Sequence, residues 1–301
     1  MRKITIATVI GLIGTTAAVL SLIYTLHTAS VAKQQEAHAR VTRAFASVSR
    51  GFSSLPETQW LPVGREKEQL EEALTETEQA RDMDPKSAAI HNIRGILLGR
   101  AGQYDHAMKE FQIALGLVRR DAGGRAVILD NIGSLQSEQC QYAAAERSFR
   151  ASIESKDHAL AHANLADCLL RQNRVPDARA HIRLALKKDP NSVGPHLVYG
   201  KILWKLNACD EAIAELKAAR DIDPMYQPDA HLELSKALAA MGDSEGALDE
   251  ASAAIDVAPN FAEAHDWYAG LLEKAGDVAS AKVERKRVQE LKRFRKPNAF
   301  C

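Results

Sequence analysis

The chain has 301 residues, and its 39 lysines and arginines balance its 39 aspartates and glutamates. This balance excludes a whole-chain electrostatic bias toward nucleic acid or acidic partners. Aromatic residues make up only 5% of the chain, which suits helices packed through small side chains better than a sheet-built core.

The N-terminus opens with the basic Met1-Arg2-Lys3, followed by Ile4–Leu26, a run without a charged residue. As a helix that run spans roughly 30 Å, the thickness of a bilayer's hydrocarbon core. Residues 1–30 are therefore expected to form a single-pass transmembrane anchor. The small-x-small sequence Ser30-Val31-Ala32 leaves open a cleaved leader instead. Arg2 and Lys3 on one side face Lys33, Arg40 and Arg43 on the other, so the positive-inside bias is weak. The expected arrangement is an inner-membrane protein with its long C-terminal part in the periplasm. A reversed anchor would leave that part in the cytoplasm.

Residues 32–50 carry Ala37, Val41, Ala44, Phe45 and Val48 on one helical side, and residues 65–83 form a second, highly charged helix ahead of Pro85. Pro56, Trp60 and Pro62 mark a loop between them. Residues 32–86 thus read as an atypical helical pair that caps a repeat array.

From Ala88 to Val288 the chain repeats. A small residue recurs at Gly95, Gly133, Ala166, Gly200, Ser235 and Ala269, a spacing of about 34 positions with a longer first interval. If that residue is position 8 of each unit, position 20 is alanine six times: Ala107, Ala145, Ala178, Ala212, Ala247 and Ala281. Position 27 is small in the first five units, from Ala114 to Ala254, and position 32 is proline at Pro190, Pro224 and Pro259. Small residues are needed where two helices cross, and proline stops the second helix of each pair. Residues 289–301 form a basic, capping tail.

Each unit resembles a tetratricopeptide repeat, a helix-turn-helix module of about 34 residues. The resemblance implies an all-α superhelical solenoid of about six helix-turn-helix units, here with an N-terminal transmembrane helix. It further implies a non-catalytic scaffold that binds a protein or an extended peptide in a concave groove lined by positions 2, 5, 6, 9, 12 and 13 of the first helices. Anchored relatives in bacterial envelopes assist assembly of cytochrome c, pili, outer-membrane proteins or surface polysaccharide, and an envelope role of that kind is expected here. The alternatives are a cytoplasm-facing regulatory or assembly factor and a non-catalytic subunit of an enzyme complex.

The groove residues expected on this basis are Asn131, Asn164, Asp167, Arg171, Lys201, Trp204, Lys205, Lys236 and Trp267, with Asp130, Ser134 and Leu197 beside them. A side-chain amide offers both a donor and an acceptor, so Asn131 and Asn164, both at position 6, suit the backbone of an extended peptide. Trp204 is a candidate aromatic anchor. Asn92 and Ile96 stand where relatives that clamp a chaperone's C-terminal carboxylate have lysine and asparagine, so that ligand is not expected.

Histidine occupies position 4 in five units, at His91, His162, His196, His231 and His265. Helices of neighbouring units lie about 8–10 Å apart, too far for one ion with bonds of about 2 Å to join two rungs. These are read as packing residues. No metal site, cofactor or catalytic constellation is expected. The cysteines, Cys140, Cys168, Cys209 and Cys301, contain no CxxC, and isolated thiols are expected, with a disulfide open only in an oxidising compartment. Between Tyr226 and Ser280, eleven acidic residues face Lys236 and Lys274 alone, directly ahead of the basic tail. That juxtaposition disfavours nucleic acid as a partner. The oligomeric state is not legible.

Overall fold

The computed structural model describes residues 27–44, 65–222 and 228–293, which are helical throughout with no β-strand among them. The first helix, α1, covers residues 27–44. It is followed by α2 (Arg65–Met83), α3 (Ala88–Arg100), α4 (Tyr104–Leu117), α5 (Ala122–Glu138), α6 (Tyr142–Ser155) and α7 (Ala159–Arg171). Then come α8 (Val175–Lys188), α9 (Val193–Lys205), α10 (Cys209–Ile222), α11 (Pro228–Ala240), α12 (Ser244–Val257), α13 (Ala262–Ala275) and α14 (Val278–Arg293). The proposed anchor, Ile4–Leu26, lies outside the described residues. Within them no helix is long and apolar enough to cross a membrane.

From α3 onward the helices form six consecutive pairs, and each pair packs on the next. First helices also touch across pairs, α3 on α5, α5 on α7, α7 on α9 and α9 on α11, whereas second helices make no comparable contact with one another among the described residues. The array therefore curves, with the first helices on its inner wall.

Position 8 sets how closely the two helices of a unit approach. A Cβ added to Gly95 would lie 2.6 Å from the Phe111 ring, one on Gly133 would lie 2.6 Å from Phe149, and one on Gly200 would lie 2.7 Å from Leu216. These partners stand at position 24. Ala166 is matched with Ile182 and Ser235 with Ala251, whereas the terminal unit pairs Ala269 with Arg285. Shape complementarity across this contact explains the glycine opposite each phenylalanine.

The turn inside each unit is also repeated. Position 15 has positive φ in all six units: Gly102, Cys140, Asn173, Asn207, Gly242 and Gly276. The residue after each donates its backbone N–H back into the first helix, as Gln103 does to Leu98 O and Asp277 to Leu272 O. This left-handed cap satisfies the last carbonyls of the first helix and reverses the chain. Glycine and asparagine tolerate it, and Cys140 is the exception.

The stack begins before Ala88. Ala37 and Val41 of α1 pack with Ala80 and Ile90, and Ala44 packs with Leu70, Ala73 and Leu97. Ala73 and Ala80 stand one period ahead of Ala107 and Ala114. The helix α2 thus continues the repeat backward and meets α3 as a second helix meets the next unit. At the other end α14 runs unbroken past Val288, and two of its basic residues are engaged. Arg285 bonds Asp266 and Glu273, and Arg287 bonds Asn260 and lies 3.5 Å from Glu290.

Candidate functional site

On the inner wall, helical spacing places Val127, Asn131 and Ser134 in one stripe along α5, and Leu160, Asn164, Asp167 and Arg171 in one stripe along α7. Asn131 Nδ2 donates to Asn92 Oδ1 of α3 at 2.8 Å, so this stripe sits where first helices meet. Asn164 is half-buried and makes no side-chain hydrogen bond to another described residue. One turn earlier on each helix an aliphatic side chain faces solvent, and Val127 and Leu160 are each 51% exposed. Sequence reasoning passed over this pair. The signal was available as two aliphatic residues at position 2 in neighbouring units.

The C-terminal halves of α7 and α9 carry Asp167, Arg171, Lys201 and Lys205. Asp167 and Arg171 pair within α7 at 2.8 Å. Lys201 and Lys205 follow on α9, where Lys205 is exposed and its Nζ donates to Leu170 O and Asn173 Oδ1 at 3.4 and 3.5 Å. On α5 the equivalent residue is Glu138, beside Arg100 of α3, and burial pushes its pKa up to about 7. The excess of positive charge therefore belongs to α7 and α9.

The remaining expected groove residues are drawn into the fold. Trp204 is half-buried against the cluster of Leu197, Leu216 and Leu234. Lys236 Nζ lies 2.9 Å from Glu233 and 2.8 Å from Glu263. Burial alone would lower its pKa, but those two carboxylates outweigh burial and raise it. Trp267 packs with Ala247, Ala251 and Leu271, filling the space left by alanine at position 24 of the fifth unit. Its indole N–H donates to the buried Ser235 Oγ at 2.8 Å. Leu197 is a core residue, 1% exposed, rather than part of the groove. Asp130 is likewise buried, because position 5 of α5 turns toward the junction with the next unit.

At that junction Asp130 meets His158. The Ala161 backbone N–H donates to His158 Nδ1 at 3.3 Å, which leaves the ring proton on Nε2, 3.1 Å from Asp130 Oδ2. Burial pushes the Asp130 pKa up to about 7 and lowers that of His158. Ser152 Oγ donates to Ala126 O at 3.0 Å and is fully buried, so this trio joins units and presents no exposed nucleophile.

The position-4 histidines do not face one another across rungs. Each turns toward the second helix of its own unit. His91, His196, His231 and His265 place Nδ1 2.5, 2.6, 2.6 and 2.5 Å from Glu110, Glu215, Glu250 and Glu284. In three of them Nε2 meets the carbonyl of Pro85, Pro190 or Pro259. With acceptors at both nitrogens, the ring satisfies both only as the imidazolium. The Glu110 hydrogen bond, opposed by burial, raises the His91 pKa, and the same bond lowers that of Glu110 against its own burial. Each clamp ties the first helix to the second, and these three also hold the end of the preceding unit. No cluster of three histidine, cysteine, aspartate or glutamate side chains among the described residues could hold a metal ion.

The thiols divide. Cys168 is buried, donates to Tyr142 O at 3.3 Å, and has its pKa pushed up to about 11 by burial. Cys168 and Cys209 are free. Cys140 is disulfide-bonded, which corrects the expectation of isolated thiols throughout.

Comparison with known proteins agrees with this geometry. The profile of the tetratricopeptide repeat matches residues 65–124, 131–193 and 232–285, together more than half of the chain. No curated protein matches the sequence. Among solved structures, the APC/C hetero-tetramer Cut9-Hcn1 superposes with a TM-score of 0.61 at 10% identity over 77% of this chain, which spans only 47% of that one. Pseudomonas aeruginosa pilF superposes with a TM-score of 0.54 at 16% identity, over 76% of this chain and 94% of that one. TTC0263, a TPR protein of Thermus thermophilus, gives 0.55 at 21% identity, over 62% and 99%. At these identities the likeness is one of fold alone. The sequence match, the paired helices and the repeated contacts agree: the chain belongs to the tetratricopeptide repeat family.

Proposed function

We propose that this protein is a non-catalytic scaffold that holds an extended protein segment along the stripes of α5, α7 and α9. One observation carries the reading. Two neighbouring first helices present the same pair, a half-exposed aliphatic at position 2 and an asparagine at position 6, beside a cationic end formed by Arg171, Lys201 and Lys205. Exposed aliphatic side chains supply apolar contact area, amides grip backbone N–H and C=O groups, and the cations favour acidic side chains. The preferred ligand is an extended segment with apolar residues followed by acidic ones.

The test is a peptide array probed with the full chain. Leu160→Glu and Arg171→Glu should each abolish binding, while Ile113→Glu on the second helix α4 leaves it intact. Equal loss from Ile113→Glu, or none from the other two, overturns the reading.

We further propose that Ile4–Leu26 tethers the array to the inner membrane with its groove in the periplasm, in service of envelope-complex assembly. The charge-free run Ile4–Leu26, long enough to span a bilayer, supports the anchor. Tethering would raise the effective concentration of the groove for a membrane-bound partner. A reporter fused after Cys301 should be active only in the periplasmic form, and activity only in the cytoplasmic form reverses the anchor.

A further inference from the structure

We propose that the third unit, α7–α8, is an acid-sensitive joint in the array, in which protonation of both His162 and His181 loosens the first helix of the unit from the second. The joint is independent of what the groove binds.

In four units the position-4 histidine meets a glutamate on the second helix. In the third unit that glutamate is replaced by His181. The two Nδ1 atoms lie 3.0 Å apart and the rings stack with centroids 5.2 Å apart. Two imidazole nitrogens at that distance share one proton, one donating and the other accepting through its lone pair. His162 Nε2 lies 2.9 Å from Asp157 Oδ1, which keeps a proton on that nitrogen, so His181 donates when both rings are neutral. A second proton puts two N–H groups and two positive charges in contact, and the rings must separate.

The nearby carboxylates are already engaged by cations. Asp157 is shared with Lys188 at 2.7 Å. On α6, Glu146 is paired with Arg150 and with Arg174 at 2.7 and 2.8 Å, and Asp177 of α8 is paired with Arg174 at 2.6 Å. Just ahead of α7, His158 faces Asp130 of α5. On α9, His196 is held by Glu215 and Lys205 lies at Asn173. Burial, the neighbouring His162 and Arg150 lower the His181 pKa and outweigh Asp177 and Glu146, which act the other way. A group depressed in the fold contributes stability above its unfolded pKa, near 6.5, and loses it as pH falls below that value. In the other four clamps the histidine faces a carboxylate, so a proton gained there adds attraction rather than repulsion, and loosening is confined to the third unit.

The test is amide hydrogen exchange of the full chain at about pH 7.5 and about pH 5.5, corrected for intrinsic rates. Protection across α7 and α8 should fall by about tenfold relative to α9–α12. His181→Glu, which installs the pair found in the other units, and His181→Gln, which cannot be protonated in this range, should each remove the differential response. Two outcomes overturn the proposal: equal protection at both pH values in the native chain, or a response that survives in both His181 variants. A response abolished by His158→Gln alone also overturns it, by assigning the effect to the Asp130–His158 contact.

Discussion

Gly133 and Phe149 fix the crossing distance of α5 and α6, because a Cβ on the glycine would lie 2.6 Å from the ring. Alanine would gain about 1 kcal/mol of helix propensity, but overpacking against a buried ring costs about 1–3 kcal/mol. Gly133→Ala should therefore destabilise by about 1 kcal/mol, read as a lower urea midpoint at unchanged slope. Gly116 in α4 has nothing within 4 Å of an added Cβ. There the propensity gain stands alone, and Gly116→Ala should stabilise by about 0.5–1 kcal/mol.

The repeated left-handed cap gives a second prediction. Asn173 has φ of 59°. Asn173→Ala should cost about 1 kcal/mol, whereas Asn173→Gly should be neutral or slightly stabilising. Equal losses for both would show that the Asn173 side chain, and not its backbone, holds the turn.

The first His–Glu clamp should impose a pH window on stability. The His91 pKa is raised, so its contribution is present below about 6.5 and is lost as pH rises through the folded value. The Glu110 pKa is lowered, so its contribution is present above about 4.5 and is lost as pH falls through the folded value. Glu110→Gln should cost about 2 kcal/mol near pH 6 and distinctly less near pH 9, measured by denaturation at both pH values.

Trp267 separates packing from binding. Its indole N–H holds Ser235 Oγ, so Trp267→Phe should cost about 1 kcal/mol of stability in the absence of any ligand. A thermal scan that leaves the melting temperature unchanged would return Trp267 to the groove residues.

Much of the fold was legible because packing demanded the same residue type at the same interval. Alanine at position 20 and glycine opposite phenylalanine at positions 8 and 24 mark a helix crossing wherever they recur. Ala73 and Ala80 carry the same signal one period earlier, in the second helix of the pair that the sequence marks as atypical. The position-4 histidines were read as packing residues from distance alone. Their glutamate partners recur as well, 19 residues after the histidine on the second helix of four units, but only the fold brings the two positions face to face. The groove was less legible. A position that lines the groove in most units is buried when a neighbour turns it inward, as at Asp130, or leaves a void for it to fill, as Ala251 does for Trp267. The disulfide at Cys140 had no spacing signature at all.

Entry of ligands along the inner wall between α5 and α9 is tested most directly by a photo-crosslinking residue placed in cells at Asn164 in one strain and at Ile113 in another, with the adducts identified by mass spectrometry. Ile113 is 48% exposed on a second helix. A discrete protein adduct is expected from Asn164, lost when Leu160→Glu is added, and none from Ile113. Adducts from Ile113 alone would place the interaction surface on the outside of the array and contradict a binding groove on its inner wall.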